Sequence, residues 1–245
     1  MKFSLLIFPV LAGLSLAHSA VGQDGPERRR KHYDGQARAY YRGPVRFTAG
    51  GGAAYYSGDL GSSLSDNLLG GSFSLGLVYL LRPHWVIGAE GTYFQLGAKD
   101  QLPERGLAFQ SRNVSGVTFL RYELLHDEGE YANRKGAAAL VKPYLKAGAG
   151  LALYNPKAYY GIDRPTEQTV YLNRERNDYP ALAVVAPVGL GVEVRLSRKL
   201  SATVEGAYYF TTTDHLDDIS QRANPSQNDG YGLLELKLEY SPWGR

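Results

Sequence analysis

The chain of 245 residues contains no cysteine, and beyond residue 22 no apolar run approaches the roughly 20 residues that a membrane-crossing helix requires. Without cysteine there is no disulfide framework, no thiolate metal site and no lipid-modified cysteine. An excess of one charge is missing too: 27 basic against 24 acidic side chains leave a net +3, too little to indicate a nucleic-acid partner. Beyond residue 22 the histidines are His32, His84, His126 and His215, and no pair has the spacing of metal ligands. A single methionine against 29 glycines and 19 tyrosines argues against a helix bundle and suits strands with aromatic girdles. The mean hydropathy of −0.30 fits either a soluble chain or a barrel with a polar interior and wet loops.

Residues 1–22 read as a secretory signal: Lys2 supplies the positive start, Phe3 to Leu16 the apolar core, and small residues follow at Ala17, Ser19, Ala20 and Gly22. Residues 23–44 are polar and basic, with Arg28, Arg29, Arg30 and Lys31 in succession, and read as a periplasmic linker. From Val45 to Tyr240 charged and apolar residues alternate with a period of two, the signature of strands with one apolar and one polar face. The last run shows it most cleanly. Leu234, Leu236, Leu238 and Tyr240 make one face, and Glu235, Lys237 and Glu239 the other.

The alternation predicts eight strands: Val45 to Tyr56, Ser72 to Leu81, Trp85 to Phe94, Asn113 to Leu125, Pro143 to Tyr154, Val188 to Leu196, Leu200 to Phe210, and Leu233 to Tyr240. Phe119 breaks the pattern of the fourth. Long connections at 57–70, 97–110, 155–181 and 211–229 alternate with short ones, apart from a charged stretch at 126–136, as in outer-membrane barrels. Residues 241–245 form a tail.

Arg46, Glu90, Arg121, Glu123, Lys146, Glu193, Arg195, Glu205, Glu235, Lys237 and Glu239 all fall on the polar face. The apolar face is diluted with Gly and Ala, which lipid tolerates and a soluble core does not. The expected fold is therefore all-β: an eight-stranded antiparallel up-and-down transmembrane β-barrel with a polar, side-chain-filled lumen. An interior of that size has room only for its own side chains, so those charges are expected to pair as a plug. His215 stands among Asp214, Asp217 and Asp218 in a loop that could meet Asp59, but solvated acids or a helix cap account for the same residues. No catalytic, cofactor-binding or metal residue is assigned, no cofactor or small-molecule substrate is expected, and outer-membrane lipid is the partner the faces imply.

Three stretches carry a resemblance: Tyr55-Tyr56-Ser57-Gly58-Asp59-Leu60, Tyr154-Asn155-Pro156-Lys157-Ala158, and Thr213 to Ser220. Their order and content resemble the small outer-membrane barrels of Bacteroidota, a family of unknown function that includes PorG of the type IX secretion system. The resemblance spans about residues 45–240 and implies a cell outer-membrane barrel. It further implies a non-enzymatic anchor or accessory subunit of an envelope complex, with periplasmic secretion-ring proteins as partners. Surface binding or adhesion through the long loops is the alternative.

Overall fold

The computed structural model describes residues 30–58, 66–100, 106–125, 131, 139–219 and 228–242; the signal segment, Asp59 and most of the 126–136 stretch lie outside them. The described residues form eleven strands: β1 (Lys31–Tyr33), β2 (Ala39–Tyr41), β3 (Val45–Ser57), β4 (Gly70–Arg82), β5 (Trp85–Lys99), β6 (Leu107–Glu123), β7 (Val141–Tyr154), β8 (Pro156–Tyr160), β9 (Ala181–Arg195), β10 (Leu200–Thr211) and β11 (Gly230–Tyr240).

Eight of them close a barrel. Each wall strand pairs antiparallel with the next, in the order β5, β4, β3, β11, β10, β9, β7, β6, and β5 pairs with β6 to complete the ring. Closure leaves no wall strand with an unpaired edge, which a lipid environment demands. The first and last wall strands meet in register, Leu236 opposite Gly51 and Tyr240 opposite Phe47.

The alternation divides inside from outside. On β11, Glu235, Lys237 and Glu239 are buried in the lumen, whereas Leu236 is 62 % exposed on the outer wall. Leu75, Leu145, Leu190 and Val204 share that outward face. In water such a surface would be costly at about 25 cal/mol per Å², so the faces are those of a transmembrane barrel. Outward aromatics mark the edges of the apolar band: Phe47, Trp85, Tyr122 and Tyr240 at one end, Phe73, Tyr93 and Phe210 at the other. From Trp85 to Tyr93 the strand rises roughly 27 Å, or roughly 21 Å across a bilayer at a 40° tilt, close to the band height of such barrels.

At the end that carries the N-terminus the β4–β5 and β9–β10 turns are tight, whereas the β6–β7 connection spans residues 124–140. Pro83 and His84 join β4 to β5, with His84 in the left-handed region (φ 70°). Its ring stacks on Tyr122 at 5.6 Å, and its Nδ1 lies 2.6 Å from the Glu123 carbonyl oxygen, which holds a conformation non-glycine residues seldom adopt. At the opposite, long-loop end the wall stands taller than the alternation predicts. β5 and β6 run to Lys99 and from Leu107, so the predicted 97–110 loop shrinks to residues 100–106, and β8 adds to the upper part of β6 within the predicted 155–181 loop. The sixth wall strand starts at Ala181, not Val188. Pro187 sits inside it, and the β7–β9 ladder skips between Ala147↔Val188 and Gly150↔Val185, where proline has no N–H to offer.

Phe119 points into the lumen against its polar neighbours. Gly88 and Gly148 stand directly opposite it on both flanking strands. A Cβ at Gly148 would come within 2.8 Å of the Phe119 Cβ, so the ring occupies space that only glycines leave open. Thr118, a polar residue, points outward.

Candidate functional site: the filled lumen and its clasp

The lumen is filled in layers, and the lowest belongs to Arg46, Arg121 and Lys142. Arg46 pairs with Glu239 and lies 3.5 Å from Glu193; Arg121 pairs with Glu193 and reaches Glu239 and Glu123 at 3.2 Å each. Lys142 closes the layer on Glu123 at 2.8 Å. The Arg121 guanidinium also lies 4.0 Å from the centre of the Tyr144 ring.

Above it, two ammonium groups serve three carboxylates. Lys237 Nζ is 2.5 Å from Glu90, 2.8 Å from Glu205 and 3.1 Å from Glu235; Lys146 Nζ is 3.1 Å from Glu90 and 2.8 Å from Glu205. Tyr144 donates to Glu205 at 2.7 Å, and Ser72 and Ser74 donate to Glu235 at 2.8 and 3.2 Å. Glu90, Glu205 and Glu235 are close enough to share a metal ion, but the two lysines already stand among them.

Of the eleven charges predicted to face inward, the structure brings ten into these two layers. Arg195 is the exception: it has the inward parity but lies half-buried at the rim. The fifth cation of the interior is Lys142, which the predicted strand start at Pro143 leaves out. The signal that finds it is parity, since Lys142, Tyr144 and Lys146 alternate with outward Val141, Pro143 and Leu145.

The third layer is aromatic. Tyr209 and Tyr231 stack at 4.6 Å, Phe94 stacks on Tyr231 at 4.4 Å, and Phe109 meets Tyr56 edge-on at 4.7 Å. Leu216 and Ile219, from the 212–229 connection, are buried against it. Among the described residues the lumen is thus filled by charge below and by an apolar lid above, as expected of a barrel of this size.

Over that lid sits a clasp. Tyr56 Oη lies 2.8 Å from Asp217 Oδ2 and 2.5 Å from Asp229 Oδ1, both acids buried; Asp229 also accepts the Leu216 N–H at 2.9 Å and Asp217 the Ile219 N–H at 2.9 Å. A phenol carries one proton, so it can donate to one carboxylate and must accept from the other. One acid therefore holds a proton. Burial first, and then the Asp217 charge beside it, pushes the Asp229 carboxyl up to about 9.

A carboxyl raised in the folded state supports the fold fully below its unfolded pKa, near 3.9, and that support is lost as the pH rises toward about 9. Protection of the Leu216 and Ile219 amides, relative to the intrinsic exchange rate at each pH, should therefore fall between pH 6 and 9.5. Asp229→Asn, which keeps an acceptor for Leu216 and offers a donor to Tyr56, should flatten that dependence. An unchanged profile in the variant would show that Asp229 is not the titrating group.

Among the described residues, the neighbouring acids and histidine make contacts of other kinds. Asp218 accepts from Tyr179 Oη at 2.8 Å and the Glu175 N–H at 3.0 Å, and so ties two connections together. His215 contributes its carbonyl to Tyr179, and its Nδ1 meets no hydrogen-bond partner. Asp59 lies outside the described residues.

At the short-turn end, part of the stretch read as a linker is folded. β1 and β2 form a hairpin in which Tyr40 bridges to Tyr131, and Arg38 lies 4.6 Å over the Tyr131 ring. Tyr40 and Tyr131 are buried together, while Lys31, Tyr33 and Arg42 stay exposed.

Comparison with known protein families and with curated proteins finds no match. Among solved structures the chain is similar to Neisserial surface protein A, at 15% identity and a TM-score of 0.45 over 81% of this chain and 97% of that one. A major outer membrane protein of Thermus thermophilus matches at 12% identity and a TM-score of 0.44 over 81% and 99%. Ail, the attachment invasion locus protein of Yersinia pestis, matches at 13% identity and 0.43 over 80% and 96%. Identities this low concern the fold alone, and the barrel rests on its own register.

Proposed function

We propose that this chain is a non-enzymatic barrel of the outer membrane that anchors an envelope complex, in type IX protein secretion as the PorG resemblance implies. The observation that carries the reading is the docked hairpin. A basic segment that could have trailed as a tether is instead folded onto Tyr131, beneath a lumen with no room for transport. With short turns facing the periplasm, as in barrels of this kind, the hairpin offers exposed Lys31, Tyr33 and Arg42 to periplasmic ring proteins.

Undocking the hairpin tests this. Tyr40→Ala should cost the hairpin about 3 kcal/mol of packing while leaving the wall untouched. In a strain lacking the native copy, the variant should still give a heat-modifiable barrel in the outer membrane, yet secretion should fall. Full secretion with a demonstrably undocked hairpin would sink the anchor reading.

A second reading is supported by exposed apolar side chains at the other end. Tyr160, Ile162, Val170 and Tyr171 stand on the connection that follows β7, between 52% and 64% exposed, as a surface-binding loop would present them. Removing residues 161–170 would then abolish surface adhesion while secretion continued.

A further inference from the structure

Cations gather at one place where the lipid-facing wall ends. On the outward side of adjacent strands, Tyr93 stands opposite Val114 and Val114 opposite Leu153, the last apolar row before the long-loop end. One step higher, Gln95 stands opposite Arg112. One step higher again, Gln110 stands opposite Lys157 of β8. Arg112 and Lys157 are both exposed, and as diagonal neighbours on one face their side chains can converge on a single group.

Arg164 meets the same two glutamines: it crosses from the connection after β8 to donate to the Leu69 carbonyl at 2.7 Å, and with Gln95, Gln110 and Tyr159 it lines an open cleft. None of the three cations makes an ion pair within the described residues. Asp163, exposed, stands beside Tyr159, which donates to its carbonyl at 2.8 Å.

The cluster is local. Toward the same end of β3, β4, β9, β10 and β11, the wall positions with outward parity include Tyr55, Phe73, Val184, Phe210 and Gly232, none of them charged. A cation that merely reaches from the wall toward water needs no neighbour, whereas Arg112 and Lys157, with Gln95 and Gln110 opposite them, form a donor set for one anion. The apolar row directly beneath specifies what that anion is attached to.

We infer that this sector of the outer wall seats the phosphate-bearing headgroup of an anionic lipid, its acyl chains on Tyr93, Val114 and Leu153. The guanidinium of Arg112 offers paired donors to phosphate oxygens, and Lys157 adds a point charge beside it. This inference stands independently of the anchor reading, since it concerns the opposite end of the barrel.

Native mass spectrometry of the full detergent-solubilised barrel tests it, with phosphatidic acid titrated against phosphatidylcholine of the same chains. Phosphatidic acid should be retained in preference at one site. Arg112→Gln with Lys157→Gln should weaken that retention about 30-fold, from about fivefold for each cation near a membrane surface. Phosphatidylcholine retention and heat-modifiability should not move. A control pair at the opposite rim, Arg198→Gln with Lys199→Gln, should leave phosphatidic acid retention as it was. Equal retention of the two lipids, an unchanged double variant, or the same loss in the control pair would overturn the proposal. Displacement of the lipid by millimolar inorganic phosphate would overturn it as well, because the site would then take a free anion.

Discussion

Replacing Lys237 with methionine is expected to destabilise the barrel by about 3 to 5 kcal/mol, read as a lowered urea midpoint for loss of the folded gel band. The magnitude follows from what is left behind. Lys237 is the ammonium shared by Glu90, Glu205 and Glu235, and after its removal Lys146 alone serves Glu90 and Glu205 while Glu235 has no cation. Glu235 would keep only the hydroxyl donors Ser72 and Ser74. Uncompensated charge in a confined, water-poor interior costs several kcal/mol, far more than an exposed ion pair contributes.

The rescue is as informative as the loss. Glu235→Gln added to Lys237→Met removes one negative charge and keeps an oxygen for the serine hydroxyls, so it should recover part of the stability. If Lys237→Met cost less than about 1 kcal/mol, the charges would be solvated and the lumen open to water. In that event the filled interior, and with it the case against transport, would fall together.

The alternation of β11 was readable from the chain because both of its environments are extreme. Lipid selects leucine at 234, 236 and 238, and a small ionic lumen selects glutamate and lysine between them, so period two survives without noise. Phe119 was not readable, since what admits it is a pair of glycines on other strands, Gly88 and Gly148, which no local window contains. Lys142 and Arg195 were exchanged for a similar reason. Each lies at a strand end, where one residue of error in the boundary decides whether a charge is inside the wall.

The long-loop end was the least legible. Asp217 read as a solvated loop acid or a helix cap, yet it is buried together with Asp229 because Tyr56, more than 150 residues away, reaches both. Tyr56, Phe94 and Tyr209 stood on the polar side of their strands by parity. Their meaning as an apolar lid emerges only once Leu216 and Ile219 close over them. The hairpin at Lys31–Tyr33 and Ala39–Tyr41 was hidden by its charge, since three-residue strands carry too little alternation to outweigh a basic composition.

Leu236→Arg should impair insertion, at a cost of about 2 to 4 kcal/mol for an arginine at mid-membrane depth on a lipid-facing wall. Leu236 stands opposite Gly51 on β3 and Val204 on β10, midway between Tyr240 at one edge of the apolar band and Gly232 at the other. From that depth the arginine stem has little reach to either interface. Tyr240→Arg, at the edge of the same face, should cost no more than about 1 kcal/mol, because there the guanidinium meets the headgroups. Refolding into bilayers, followed by the shift between heated and unheated gel bands, separates the two variants. Moving the charge by one residue inverts its environment: at 237 a cation is the shared partner of three carboxylates, and at 236 it faces hydrocarbon. If Leu236→Arg folded as readily as Tyr240→Arg, the outward leucines would not be meeting lipid, and the wall would belong to a barrel or interface of another kind.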